Sequence, residues 1–243
     1  MKHTIITVLA TIAMLFGMTS CLPEGPIRSD YTSMADWKNG ILYTDDGIEL
    51  TIVENKSGYN IAETIERVFI HCDILTQKSE NAYDVRLLKW DTVSKKNLLR
   101  LSDEADRYMD ENGNIASDPI NLATGWFSKG MLNMSLDYIE KQEKPGTHEF
   151  DIIFDDKKSV GDTLYMRLVH NAHGEYYGNP EYKEENLTIT SKFASVDIHD
   201  LMPSGKDNVI VKVEWKWHQI QNGAIKKETQ DYSINGTFKK ENL

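Results

Sequence analysis

Alternating apolar and polar residues form the dominant pattern along most of the chain. In Val209–Trp217, apolar residues occupy every second position, and charged residues occupy most of the positions between them. Because successive side chains of a β-strand point to opposite faces, this pattern predicts a strand with one buried and one solvated face. The same alternation predicts strands over Met131–Tyr138 and Leu164–His170.

Shorter stretches show the same pattern and are separated by Asp-Gly, Asn-Gly and Pro-Gly turns. They are Gly47–Glu54, Arg67–Thr76, Tyr83–Asp91, His148–Phe154, Lys192–Ile198 and Gln230–Phe238. No long 3.6-residue period occurs, and only residues 61–68 and 102–109 could each form a short helical turn. Many short strands without long helices predict an all-β fold of the barrel or sandwich type.

The N-terminus has the layout of an export signal. Lys2 and His3 precede an apolar run, Ile5–Met18, that is shorter than the roughly 18–20 apolar residues needed to cross a bilayer. The following Met18-Thr19-Ser20-Cys21 resembles a bacterial lipobox, in which the peptide is cut before a lipid-carrying cysteine. We therefore expect a signal peptide over residues 1–20 and a lipid anchor on Cys21, and an ordinary signal peptide with a chance cysteine is the alternative.

Composition predicts how the remainder is divided. Residues 22–37 contain prolines, glycine and serines without an apolar period, so residues 21–38 are predicted to be a lipidated tether. A polar, acidic stretch over 102–118 contains few strand-forming residues, which places a domain boundary near residue 110. The length of 39–110 suits a small barrel, and the six or more strands of 111–243 suit an antiparallel β-sandwich.

Net charge and cysteine content limit which partners and which disulfides the sequence predicts. The formal net charge is −11 and no basic cluster occurs, so nucleic acid is not an expected partner. After cleavage at Cys21, only Cys72 would remain, and a single thiol cannot form an internal disulfide. Cys72 lies in an apolar strand pattern, so it is predicted to be a small buried hydrophobic residue.

A search for catalytic or metal-binding motifs yields one local cluster. His170, His173 and Glu175 could bind zinc if the chain turns after His170, but residues three apart on a continuing strand point to opposite faces. The alternative is that His170 and Asn171 end a strand by bonding backbone groups of a turn. The cluster is therefore a secondary hypothesis, and no metal, cofactor or catalytic residue is predicted.

Aromatic residues are the remaining candidates for a binding surface. Tyr176 and Tyr177 precede Gly178-Asn179-Pro180 and are expected to lie on a loop, where exposed aromatics often bind ligands. Trp126 is a weaker candidate. The alternating Trp215 and Trp217 are predicted to lie in the core, and an exposed platform for sugar or peptide is the alternative.

The chain resembles the NigD-like lipoproteins of Gram-negative gut and oral bacteria over nearly its whole length. The matching segments are Tyr83-Asp84-Val85-Arg86-Leu87 with Trp90, Asp118-Pro119-Ile120-Asn121, Gly125-Trp126-Phe127-Ser128, Met131-Leu132-Asn133, His170-Asn171-Ala172 with Gly174, and Pro203-Ser204-Gly205-Lys206-Asp207. The chain departs from the family pattern at Lys129-Gly130-Met131, where the family has Gly-Gly-Tyr, and at His173 and Glu175. Of the two histidines, only His170 matches that pattern.

The resemblance implies an OB-like barrel over 39–110 followed by a β-sandwich over 111–243. It brings no catalytic residues, and its name comes from a suggested immunity role beside a bacteriocin. We therefore expect an outer-membrane lipoprotein, facing the periplasm or the cell surface, that binds a protein, peptide or glycan without catalysis. The alternatives are a metal- or carboxylate-dependent hydrolase acting on extracellular polymers, and a structural protein of the envelope.

Overall fold

A computed structural model describes residues 25–102, 108–141, 147–179, 187–222 and 224–240. These residues form thirteen strands in two sheets, which confirms the all-β prediction. The strands are β1 (Arg28–Lys38), β2 (Ile41–Thr44), β3 (Glu49–Asn55), β4 (Arg67–Ser79), β5 (Ala82–Lys96), β6 (Leu98–Arg100), β7 (Asn121–Ser128), β8 (Met131–Lys141), β9 (Glu149–Val160), β10 (Thr163–Asn171), β11 (Leu187–Asp197), β12 (Asn208–Gln221) and β13 (Ala224–Lys239). Within the described ranges, no helix is both long and apolar enough to span a bilayer.

The first five strands close into a barrel. They pair in the order β1-β2-β3-β5-β4 and back to β1, with only the β3–β5 pair parallel. Every second residue of β4 points inward, so Val68, Ile70 and Cys72 are fully buried in the barrel core with Leu42 and Leu87. Five strands paired in a ring form a small barrel, which agrees with the all-β fold class.

A second and larger core lies between two sheets that form a sandwich. One sheet has the order β13-β12-β10-β9-β6, and the facing layer consists of β11, β8 and β7. The predicted strand of Val209–Trp217 forms most of β12, and Trp215 and Trp217 lie in this core at 7% and 4% exposure. Their prediction as core residues is therefore confirmed.

Strand β5 belongs to both parts of the molecule. Its first part lines the barrel, whereas Val93–Lys96 pair in parallel with Phe193–Val196 of β11. This pairing joins the barrel and one layer of the sandwich into a single eight-stranded sheet with the order β3-β2-β1-β4-β5-β11-β8-β7. The chain thus begins to contribute to the sandwich within β5, ahead of the predicted boundary near residue 110.

Two local predictions from the sequence are wrong. Residues 28–38 of the predicted tether form β1, and this strand was missed because its buried residues Tyr31, Met34 and Ala35 do not alternate. A register shift between Arg28 and Tyr31, with Asp30 at φ 57°, interrupts the two-residue alternation of buried and exposed side chains. Residues 61–68 contain a hydrogen-bonded turn followed by the start of β4, not a helical segment. The signal peptide, Cys21 and most of 102–109 lie outside the described residues.

Candidate binding groove

The outward face of the eight-stranded sheet continues from the barrel to the sandwich. On β4, Phe69 and His71 alternate with buried core residues and therefore point away from the barrel core. On β11, Phe193 is partly buried between the exposed Lys192 and the buried Ala194, and it pairs across the sheet with Ser135 of β8. Phe69 and Phe193 stack with their ring centroids 4.3 Å apart, so one aromatic contact joins the barrel face to the sandwich face.

Two recesses beside this stack form a continuous groove, because both are lined by Thr32 and Phe69. We call it the junction groove. The first recess, the lysine end, has a volume of about 670 Å³ and is lined by Lys89, Lys192, Asp91 and Phe193 among others. The second recess, the aspartate end, has a volume of about 580 Å³, and its lining includes Asp45, Asp46, Trp126 and Ser128.

Beneath the aspartate end lies a buried guanidinium with partners on four segments. Arg67 is 2% exposed, and its Nε–H donates to Ser195 Oγ over 2.9 Å. Its other nitrogens donate to Asp36 Oδ1 over 3.0 Å, Asp45 Oδ2 over 2.7 Å and Asn133 Oδ1 over 2.9 Å. We call this set the Arg67 network. It connects the barrel with the sandwich, because Asn133 and Ser195 lie on β8 and β11.

Asp45 has one well-bonded carboxylate oxygen and one without a partner. Its Oδ2 accepts hydrogen bonds from Arg67, Ser128 and Asn133. Its Oδ1 is buried and accepts no hydrogen bond from any described residue, although the side chain lines the groove and is only 6% exposed. Buried polar atoms in folded proteins usually have a partner, so this oxygen is an exception within the Arg67 network.

Asp46, next along the chain, is exposed and held in place by hydroxyl donors. Tyr31 Oη donates to both carboxylate oxygens, over 2.6 and 2.7 Å, and Ser33 Oγ donates over 3.5 Å. Burial by itself raises the pKa of Asp46, but hydrogen bonds from Thr44, Tyr31 and Ser33 lower it by more, so the net pKa lies below its ordinary value. The groove therefore presents an ionised carboxylate at neutral pH.

A separate polar cluster lies at one end of the sandwich. His170 Nδ1–H donates to the carbonyl of Pro119 over 2.9 Å, which leaves its Nε2 to accept from His148 Nδ1–H over 3.0 Å. Both histidine side chains are buried, and the two rings stack 5.1 Å apart. Burial, followed by repulsion from His148, lowers the pKa of His170 to about 4. We call these two residues the histidine pair.

The alternative metal set from the sequence is not assembled. His170 uses its ring nitrogens for Pro119 and His148, whereas the exposed His173 lies 3.8 Å from Glu149. Across the described parts of the chain, no group of three His, Cys, Asp or Glu side chains could hold a metal ion. The other interpretation agrees with the structure at the end of β10: the His170 ring donates to the backbone carbonyl of Pro119, and Asn171 Oδ1 accepts from the amide of His173.

The aromatic candidates from the sequence lie in two places. Trp126 is partly exposed and lines the aspartate end. Tyr177 packs against the sandwich core and lies edge-on to His218, where it lines a small apolar pocket of about 220 Å³, and Tyr176 precedes it in the same turn. The structure therefore brings Trp126 to the groove and does not bring Tyr176 or Tyr177 there.

Most groove residues have no distinctive signal in the sequence. Asp45 and Asp46 appear in an Asp-Asp-Gly segment that is typical of a turn, and Phe69 and Phe193 appear in strand patterns. Arg67 is the exception, because it is a charged residue directly before an apolar strand pattern. The role of Arg67 in joining the two parts of the molecule depends on its hydrogen bond to Ser195, which is 128 residues away.

The fold and the groove define an all-β protein with a barrel and a sandwich joined by one continuous sheet. The family model of the NigD-like C-terminal beta sandwich domain matches residues 104–232. Since this match covers more than half of the chain, the protein belongs to the NigD-like family, as its sequence resemblance indicated. A comparison with curated proteins found no match.

Solved structures with the same fold come from three Bacteroides species. A NigD-like immunity protein from Bacteroides caccae is 17% identical, with 86% of this chain and 93% of that chain covered and a TM-score of 0.55. A protein of unknown function from Bacteroides vulgatus is 15% identical, with coverage of 88% and 93% and a TM-score of 0.56. A candidate lipoprotein from Bacteroides fragilis is 13% identical, with coverage of 85% and 97% and a TM-score of 0.55. At these identities the likeness establishes the fold alone.

Proposed function

We propose that this protein is a non-catalytic binding module of the cell envelope, and that its ligand occupies the junction groove. The observation that carries the proposal is the groove itself. It combines concave shape, aromatic side chains and the exposed carboxylate of Asp46, which hydroxyl donors hold in place. These are the features of a recognition site, where a few fixed polar groups orient a ligand against apolar walls.

The carboxylates of the groove favour binding over hydrolysis. Glycoside hydrolysis by paired carboxylates requires one carboxyl group with a raised pKa, which can act as the general acid. The pKa of Asp46 is instead lowered by its hydrogen bonds, and Asp45 is engaged with Arg67. The chemistry of these two residues therefore supports recognition of a ligand.

An envelope address is supported by the sequence before Cys21 and by the Bacteroides fragilis neighbour described as a candidate lipoprotein. We propose an outer-membrane location, with the anchor on Cys21. Cells expressing the full chain with a clickable palmitate analogue should incorporate label into the wild-type protein and not into Cys21→Ala. Absence of label from both forms would contradict the anchor.

Binding through the groove can be tested with two of the aromatic candidates. Trp126→Ala removes a groove residue, and Tyr176→Ala removes a partly exposed aromatic elsewhere, so the second variant is the matched control. We expect the mature protein to bind members of an envelope glycan array or a displayed peptide library, with affinity about tenfold lower for Trp126→Ala and unchanged for Tyr176→Ala. Loss of binding in Tyr176→Ala alone would place the ligand outside the groove.

The relative from Bacteroides caccae is named an immunity protein, and immunity to a secreted toxin is one version of a binding role. In that version the ligand is a protein. The charges of the groove bear on the choice between a polypeptide and a glycan.

A further inference from the structure

We infer that the ligand is a polypeptide segment that presents a lysine or arginine side chain to the aspartate end of the junction groove. This inference rests on the proposed function, because it names the ligand class of the same site. It is carried by the charge balance of the recess, by the buried carboxylate oxygen in its wall, and by the apolar surface beside both.

The aspartate end has more carboxylates than cations. Asp36 and Asp45 share the single guanidinium of Arg67, so one negative charge of this group is not compensated. Asp46 adds a second, and its partners Tyr31 and Ser33 are neutral hydroxyl groups. A cationic side chain is therefore complementary to this recess, whereas an anionic one is repelled.

The buried oxygen of Asp45 strengthens this preference. Its Oδ1 has neither solvent contact nor a donor from the described residues, so water does not screen this oxygen, although Oδ2 is paired with Arg67. A carboxylate shielded from water projects a stronger potential over a few ångströms than an exposed one does. A cation beside Asp46 benefits from that potential without direct contact to Oδ1.

The walls of the recess suit the stem of a long basic side chain. Trp126 is partly exposed and lines this recess together with Phe69. Lysine and arginine bury their methylene groups along apolar surface while the charged end stays near a counter-ion. An aromatic face near the cation contributes further attraction.

The charge of the groove distinguishes a polypeptide from a neutral glycan. At the lysine end, Lys89 pairs with Asp91, and the Lys192 ammonium lies over the Tyr138 ring on the opposite face of β11 from Phe193. The carboxylates of the aspartate end therefore dominate the charge of the groove. Uncharged sugar hydroxyls gain little from this charge, whereas a basic side chain of a peptide is oriented by it.

The experiment uses a random heptapeptide display library selected on the mature wild-type chain, Asp46→Asn and Asp162→Asn. Asp162 is the matched control, because it is an exposed carboxylate in a turn and pairs with Lys206 outside the groove. We expect lysine or arginine to be enriched several-fold at one peptide position by the wild type and by Asp162→Asn, and to fall to the library frequency with Asp46→Asn. Circular dichroism verifies that each variant is folded.

A selected peptide then provides a double-mutant test. Replacing its basic residue by norleucine should weaken binding to the wild type by about tenfold and leave binding to Asp46→Asn unchanged. Selection of uncharged or acidic peptides would overturn the inference. Trp126-dependent binding on a glycan array, with no peptide selected, would overturn it and leave the proposed groove function standing. Failure of the folded wild type to bind either class would contradict both.

Discussion

Replacing Arg67 with methionine is expected to lower the free energy of unfolding by roughly 3–5 kcal/mol, because it leaves buried acceptors without their shared charged donor. Arg67 is 2% exposed and bonds Asp36, Asp45, Asn133 and Ser195. Methionine replaces the aliphatic stem of Arg67 without its charge, so the packing of the stem is kept and the hydrogen-bonding guanidinium is removed. Urea denaturation followed by tryptophan fluorescence measures the change.

The matched control is Arg86→Met, on the neighbouring strand β5. Arg86 also pairs with two carboxylates, Glu54 and Asp73, but its side chain is one-third exposed. Water replaces the lost bonds there, so a much smaller effect is expected. Equal losses for the two variants would mean that the Arg67 network does not stabilise the fold beyond an ordinary surface pair.

The same substitution tests how the barrel and the sandwich are coupled. The Arg67 network and the Phe69–Phe193 stack both cross the line between β5 and β11, where only Val93–Lys96 provide strand pairing. Removal of Arg67 should weaken this connection more than it weakens either core. We therefore expect the barrel and the sandwich of Arg67→Met to unfold at different urea concentrations. In the wild type, the two unfolding transitions should coincide.

Much of the fold could be predicted from the sequence because a two-residue period is a local property. The pattern of Val209–Trp217 placed β12 and its core tryptophans correctly. Strand β1 was missed because its bulge breaks the period, and proline, glycine and serine nearby are typical of a flexible segment. A local pattern fails where the backbone irregularity is itself set by pairing with a distant strand, here β4.

The candidate site was less predictable, because it depends on contacts between distant parts of the chain. Asp45 was correctly placed in a turn, yet its role comes from Ser128 and Asn133, which are 83 and 88 residues away. Trp126 was a candidate for its residue type alone. Period-two alternation shows that Phe69 points away from Val68 and Ile70, but it does not show that the opposite face meets Phe193.

Acidification from pH 7 to pH 5 is expected to destabilise the protein by about 2 kcal/mol through His170 alone. Its pKa is lowered to about 4 in the folded state by burial and by His148, against about 6.5 in the unfolded chain. Between these values the unfolded chain binds a proton that the folded one does not, so stability is full above pH 6.5 and is lost as the pH falls towards 4. Burial also lowers the pKa of His148, which acts in the same direction.

His170→Asn is the informative variant for this pH dependence, because its side-chain amide can still donate to Pro119 but does not titrate in this range. His173→Gln removes an exposed histidine three residues away and serves as the control. Urea midpoints measured between pH 7 and pH 5 should fall steeply for the wild type and His173→Gln and less steeply for His170→Asn. Carboxylates with lowered pKa, such as Asp46, lose their contribution only at lower pH, so they do not confuse this window. If the urea midpoint of His170→Asn falls with pH as steeply as that of the wild type, the acid sensitivity belongs to other groups. Protonation of the histidine pair would then not destabilise the folded protein.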